Sequence, residues 1–422
     1  MDHRNRLGAY KIYLILEGTV ALLFAMIFTA SAIYQVTTAR LTPLQLVLVG
    51  TTLEGTIFLF EVPTGVVADV YSRRLSIIIG YFLIGAGFVL EGSIPVFWSI
   101  VLAQVLWGAG YTFTSGATQA WITDEIGETE ANRAFLRANQ VRNAAGLVGI
   151  GLGAWIGSWQ INLPIQLGGL LLAGLGVFLI LFMPETGFKP IPKEERNTWK
   201  NLADTFIQGV KTVRGRPELV MILGIGLIYG LYSEGYDRLW TKHLLENIGL
   251  PDKPHLTAVA WTGMMDAAGS LLSISLVEAV RRKVDTSSSK GSARALLVIT
   301  ILLMAGLFGF ALAKGFVMAV LAFWLIGMAR NLIGPIYTAW VNQRLESRVR
   351  ATVLSMSSQV DAIGQITSGP VMGLVGSAVS TQAALLVSGG ILTPAVGLLG
   401  KRVLKADEMD TSKNHEMQPG SR

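Results

Sequence analysis

The chain contains no cysteine. That excludes a disulfide scaffold, a thiol nucleophile, Cys-x-x-Cys redox chemistry, Fe–S clusters and cysteine-ligated zinc. Histidine is scarce: His3, His243, His255 and His415 are scattered without metal-ligand spacing, so nothing reads as a metal centre. Charge is scarce as well. Asp, Glu, Lys and Arg make up 15% of residues, against roughly 25% in a soluble domain. The sequence has no Gly-x-x-x-x-Gly-Lys-Ser/Thr loop, which excludes ATP-driven transport by this chain alone. It also shows no nucleophile–base set, so it does not read as an enzyme, and no cofactor is expected.

What is present is apolar surface. Hydrophobic residues reach 51% of 422, with 47 glycines and a mean hydropathy of +0.52. Such a composition suits a surface facing lipid better than a water-soluble shell. A hydrocarbon core about 30 Å thick takes roughly 20 apolar residues of helix. Stretches that meet this are 10–36, 44–68, 75–94, 95–123, 134–160, 163–183, 218–241, 256–280, 294–313, 315–341, 351–376 and 381–400. The expectation is an all-α integral membrane protein with twelve spans. Ala30-Ser31-Ala32 resembles a signal cleavage site, but the apolar run is too long for a signal core and a second span follows directly, so the first helix is read as retained.

The formal net charge of +6 invites a nucleic-acid reading, but the positive charges sit in short runs between apolar stretches. No nucleic-acid partner is expected. If the N-terminus is inside, 28 of the 34 Lys and Arg residues fall in inner segments and five in outer ones. This bias puts both termini and the central loop in the cytoplasm of a multi-pass cell-membrane protein.

A shift of 219 residues aligns Val101-Leu102-Ala103 with Val320-Leu321-Ala322, Ala120-Trp121 with Ala339-Trp340, Gln140-Val141 with Gln359-Val360, and Gly157 with Gly376. Span four thus corresponds to span ten, and five to eleven. Six helices per half preserve direction, giving a parallel pseudo-two-fold repeat about the membrane normal. The expected division is a six-helix half over 1–183, a linker over 184–217, a second half over 218–400 and a tail over 401–422.

The loop between spans two and three reads Gly65-Val66-Val67-Ala68-Asp69-Val70-Tyr71-Ser72-Arg73-Arg74. It resembles the Gly-x-x-x-Asp-x-x-Gly-Arg-Arg signature of the major facilitator superfamily, with Ser72 at the second glycine. With Glu61-Val62-Pro63-Thr64 and Ser233-Glu234-Gly235-Tyr236-Asp237-Arg238, the chain resembles that superfamily's bacterial drug-efflux members. It departs from them twice. Span four carries Gln104-Val105-Leu106-Trp107 where such members usually have an arginine, and span five has Gly146, Gly149, Gly151, Gly153 and Gly157 without the antiporter Gly-Pro pair. The resemblance implies an inner gate: Asp69 faces the start of span eleven near Ala351, and Arg73 meets Asp124.

Ionisable residues within spans are expensive, so each is a functional candidate. At ~1.5 Å per residue, Glu54, Asp266 and Asp361 lie ~15 Å from their interfaces, near the midplane. Glu61 follows Glu54 by two turns on the same face. These four are the proton-coupling candidates, and Glu54 is the first choice, because loss of hydration disfavours the charged form of a carboxylate. Glu17 lies nearer the inner interface. Arg142 and Arg330 suit counter-ions or anchors for an anionic group. Trp107, Tyr111, Tyr229 and Tyr232 complete the substrate-cavity candidates. Tyr229, Tyr236 and Trp240 form a stripe whose outer members fit an interfacial aromatic belt. The reading is a monomeric secondary transporter that exports small hydrophobic or amphipathic molecules against protons. An uptake permease for a metabolite and a non-transporting sensor are the alternatives.

Overall fold

The computed structural model describes residues 3–190, 213–283, 288–343 and 347–416. Much of the expected linker, 191–212, and the end of the tail, 417–422, lie outside the described residues. Fourteen α-helices and no strand occur among the described residues. They are α1 (His3–Thr37), α2 (Pro43–Val70), α3 (Arg73–Ser93), α4 (Phe97–Thr114), α5 (Ala117–Ile126), α6 (Glu128–Trp159) and α7 (Leu163–Phe182), followed by α8 (Pro217–His243), α9 (Ala258–Lys283), α10 (Ser289–Ala311), α11 (Phe316–Asn342), α12 (Ser347–Ala378), α13 (Thr381–Ile391) and α14 (Thr393–Glu416).

Their ends follow local chemistry. Thr42 and Gln45 form a reciprocal capping box at the start of α2, with Pro43 in the first turn. Ser72, Ser288 and Ser380 cap α3, α10 and α13. Span four is not the continuous helix expected over 95–123. Gly116 adopts φ +71°, a conformation that a side chain disfavours, and it separates α4 from α5. Span twelve likewise divides at Leu392 into α13 and α14, and α14 carries helix on into the expected tail. Among the described residues, eight helices are long and apolar enough to cross a membrane, while α4, α6, α9 and α12 are more polar or shorter.

Two compact units form. The first comprises 1–201 and 238–268, the second 202–237 and 269–422. Within the first, α1 packs along α6 and α7, α3 along α4 and α7, and α2 along α4. Within the second, α10 packs against α11, α13 and α14. Trp121 in the first and Trp340 in the second, paired by the repeat, are each 1% exposed. Each ties down its indole N–H, Trp121 on the Pro184 carbonyl at 2.6 Å and Trp340 on Ser289 Oγ at 3.1 Å.

The glycines of α6 divide by face. Gly146 and Gly151 have open space around them, whereas Gly149 and Gly153 meet the backbone of α1. A Cβ at Gly153 would sit 2.6 Å from the Met26 carbonyl oxygen. The row therefore serves close helix approach. Gly153→Leu is expected to destabilise the protein by about 1–3 kcal/mol, read as a lower melting temperature in detergent, while Gly151→Leu should leave it unchanged.

Candidate functional site

At one end of the first unit, the α2–α3 loop, α5 and the segment after α7 form a single polar network. Arg73 donates through Nη1 to Asp124 and lies 4.0 Å from Asp69, which is 51% exposed. Its guanidinium also covers the Phe188 ring at 5.8 Å. Ser72 occupies an extended conformation that needs no glycine, and its hydroxyl accepts from the Leu75 amide and donates to Glu185 at 2.6 Å. Glu185 also receives the Arg74 amide at 2.8 Å, and the Arg74 side chain donates to the Ile180 carbonyl. Glu125 is 2% exposed and accepts from the Thr186 amide and hydroxyl and the Gly187 amide at 2.6, 2.8 and 2.7 Å. Gly65 is half-buried at the end of α2 with open space around it. Charge-assisted bonds of this kind are the stronger ones, so the loop is rigidly stapled to α5.

Deeper in the first unit, Arg142 of α6 donates to Glu17 of α1 at 3.1 Å, and the Tyr13 hydroxyl bonds the same carboxylate. Arg142 thus pairs with Glu17, an acid on another helix of the same unit. On α2, Glu54 is half-buried and Glu61 is exposed. Asp266 is half-buried on α9 and has no hydrogen-bonded or ionic partner among the described residues. On α4, Trp107 is half-buried and Tyr111 is 44% exposed.

Among the described residues, the most deeply buried carboxylate of the first unit is Glu91 on α3, 1% exposed. Ser31 Oγ and Gln35 Nε2 of α1 donate to Oε1 at 2.6 and 2.9 Å, and Gln104 Nε2 of α4 donates to Oε2 at 3.1 Å. Arg238 lies within electrostatic range.

In the second unit, Arg330 of α11 embraces Asp237 of α8. Nη1 bonds Oδ1 and Nη2 bonds Oδ2 at 2.8 Å, a two-pronged geometry that only a guanidinium offers. Its charge lies 5.9 Å from the centre of the Tyr236 ring. Asp361 of α12 accepts from Gln365 Nε2 at 2.8 Å and is in electrostatic range of Arg330. Tyr229 and Tyr232 are 8% and 4% exposed, and the Tyr229 hydroxyl bonds Thr300 at 2.7 Å. Tyr236 is 4% exposed and meets Phe310 edge-on. The belt expected of Tyr236 is therefore corrected: the ring is drawn inward by the Arg330 charge and Phe310. A Cβ at Gly364 would lie 2.7 Å from the Leu227 carbonyl oxygen, so glycine there brings α12 onto α8.

Asp237→Asn leaves Arg330 without its counter-charge, and a loss of about 1–3 kcal/mol is expected. The double exchange Asp237→Arg with Arg330→Asp should recover part of the melting temperature if the pairing itself is responsible.

The Major Facilitator Superfamily model matches residues 13–369. The chain belongs to this superfamily. A Bacillus subtilis (strain 168) relative, "Uncharacterized MFS-type transporter YxaM", is 23% identical over 354 residues, covering 82% of this chain and 84% of the relative. Among solved structures, the nucleoside transporter NupG superposes with TM-score 0.72 at 15% identity, covering 94% of this chain and 98% of that one. A POT family transporter in complex with a thioalcohol-conjugated peptide gives TM-score 0.70 at 13% identity, with coverage of 94% and 96%. At these identities the likeness is one of fold. This major facilitator chain is a multi-pass membrane transporter.

Four residues central to these networks escaped the sequence reading as site residues. Glu125 and Glu185 look like ordinary acids at the ends of spans until the chain after α7 folds back, bringing Glu185 to Ser72 and the Thr186 and Gly187 amides to Glu125. Asp237 falls beside Arg238 in a motif, but its partner is 93 residues away. Glu91 lies two residues before the end of α3 and resembles an interfacial acid. Its signal is the coincidence of Ser31, Gln35 and Gln104, polar residues in neighbouring apolar spans.

Proposed function

We propose that this transporter is a secondary active exporter that moves small hydrophobic or amphipathic molecules across the cell membrane by alternating access, coupled to protons. The observation that carries the reading is the set of carboxylates placed within helices of a membrane transporter, Asp266 above all. A partnerless carboxylate inside a span holds its charge at a cost that a bound proton removes, and a substrate can then alternate with that proton. Asp361, Glu54 and Glu61 complete the coupling set. Trp107, Tyr111, Tyr229, Tyr232, Arg142 and Arg330 supply the aromatic and charged surfaces that meet substrate or hold its frame. The chain works as a monomer in two six-helix halves, 1–183 and 218–400, with both termini in the cytoplasm and 184–217 as the joining segment.

Gly65, Asp69, Arg73, Arg74 and Asp124 form the inner gate. The rigid Arg73–Asp124 staple gives one state of that gate a defined geometry, and Asp69 is the acid we assign to complementing the positive end of a helix dipole there. A substrate panel in proteoliposomes with an imposed pH gradient tests the whole reading. Accumulation of amphipathic compounds into acid-loaded vesicles is expected for the population of molecules oriented to pump inward. Transport of a polar metabolite with no response to the gradient would replace it with the permease reading.

A further inference from the structure

The first unit is not built from the first part of the chain alone. Residues 238–268 follow the linker and still belong to it. They attach along the end opposite the Arg73–Asp124 network, where α1 leads into α2, α3 into α4 and α6 into α7. Lys242 of α8, its side chain 12% exposed, donates through Nζ to the Leu41 carbonyl at 3.3 Å and to Glu246 at 2.6 Å. Leu41 lies in the loop between α1 and α2. Arg238, one turn before Lys242, is within electrostatic range of Glu91 on α3. Thr257, just before α9, shares a hydrogen bond with Ser158 of α6, with 2.8 Å between the hydroxyl oxygens. Close by, a Cβ at Gly157 would lie 3.0 Å from Val259 Cγ1, and one at Gly263 would lie 2.8 Å from Ala154 Cβ.

This seam differs in kind from the packing between α1 and α6. There, a Cβ at Gly149 or Gly153 would meet the carbonyl oxygens of Leu22 and Met26 at 2.2 and 2.6 Å. Glycines that seat backbone on backbone join two helices as one body. Across the seam, the nearest atoms to Gly157 and Gly263 are side-chain carbons. Its polar contacts are hydrogen bonds that water replaces at small net cost. Glu91 supplies the seam with a fixed charge. Ser31 and Gln35 of α1 and Gln104 of α4 hold its carboxylate, while Arg238 comes from beyond the linker. A socket on one side and its cation on the other make an ionic catch.

We propose that residues 238–263 form a latch on α1, α3 and α6, shut in this structure, which parts and re-forms in each transport cycle. This rests on the alternating-access reading and gives Glu91 a place in it. Its carboxylate positions Arg238 and sets how long the latch stays shut. Removing either charge leaves the other buried and unanswered, and that favours the parted state.

The natural lack of cysteine makes the test clean. Ser158→Cys with Thr257→Cys sets the only two sulfurs across the seam, close enough to bond on oxidation. In proteoliposomes of the full-length protein, rhodamine 6G flux by this double variant is expected to stop on oxidation. Dithiothreitol should restore it, and neither single variant should respond. Undiminished flux with the disulfide confirmed by mass overturns the latch and leaves the transport reading standing. A second readout needs no substrate. Thr257→Cys alone, in detergent, is labelled with a sulfonated maleimide. Its rate is expected to rise about tenfold when Glu91→Gln or Arg238→Gln is added, and to stay slow with Arg238→Lys, which keeps the charge. Variants are accepted only if size-exclusion profile and melting temperature show a folded protein. Lys242→Gln, which should also speed labelling, keeps the test open if the buried charges are needed for folding. Equal labelling in the folded variants overturns the latch. If rhodamine 6G does not cross even with the reduced protein, faster labelling keeps the latch and it is the transport reading that fails.

Discussion

Asp266→Asn is expected to abolish accumulation of substrate driven by a pH gradient while leaving exchange down the substrate's own gradient. A gradient of one pH unit stores about 1.4 kcal/mol per proton, which supports about tenfold accumulation at one proton per substrate. Without a group to carry the proton, the ratio falls to about one. Asp266 is preferred because it has no partner among the described residues, whereas Asp361 is engaged with Gln365 and Glu61 is exposed. The sequence alone ranked Glu54 first, by depth. Glu54→Gln is therefore the parallel measurement, and radiolabelled uptake at several external pH values reads both. If Asp266→Asn still concentrates substrate with wild-type pH dependence and Glu54→Gln does not, the coupling acid lies on α2. Coupled carboxylates titrate together, so the comparison rests on loss of accumulation rather than on a fitted pKa.

The second large effect is expected at the α2–α3 loop of the first unit. Asp124→Asn removes the counter-charge of Arg73, whose side chain is 19% exposed, and both melting temperature and transport rate should fall. Asp69→Asn should separate the two. Its side chain is 51% exposed and only loosely held, 4.0 Å from Arg73, so folding stays intact while transport slows about tenfold. Wild-type flux by folded Asp69→Asn would mean that the motif only stiffens the loop. Restoration of flux by Arg73→Asp with Asp124→Arg would show that the pair itself, rather than either residue type, is what the cycle uses.

The helices were legible because lipid imposes a simple rule: about twenty apolar residues and every backbone group bonded internally. The break at Gly116 was not. Glycine is common throughout this chain, and only the observed φ distinguishes a breaking glycine from one such as Gly153, which packs against α1. The loop motif was legible as a string, and Ser72 shows why its departure is tolerated: a serine in extended conformation caps α3 and reaches Glu185. Partnerships were the least legible part. Glu185, Asp237 and Glu91 acquire their meaning from residues 113, 93 and 60 positions away respectively. One sequence records residue type and local spacing, and neither identifies a partner on another helix. The tyrosines of α8 show the same limit, since a stripe at helical spacing fits a belt and a core equally until Thr300 and Phe310 appear beside it.

Coupling to protons has a direct signature, the movement of protons opposite to substrate. Proteoliposomes loaded with a pH-sensitive dye and clamped at zero membrane potential are given a transported substrate with no initial pH gradient. Substrate entry is expected to drive protons outward, so the lumen turns alkaline in wild type and stays level in Asp266→Asn. A lumen that remains at constant pH while labelled substrate enters through the wild-type protein would contradict coupled export and leave a facilitator in its place.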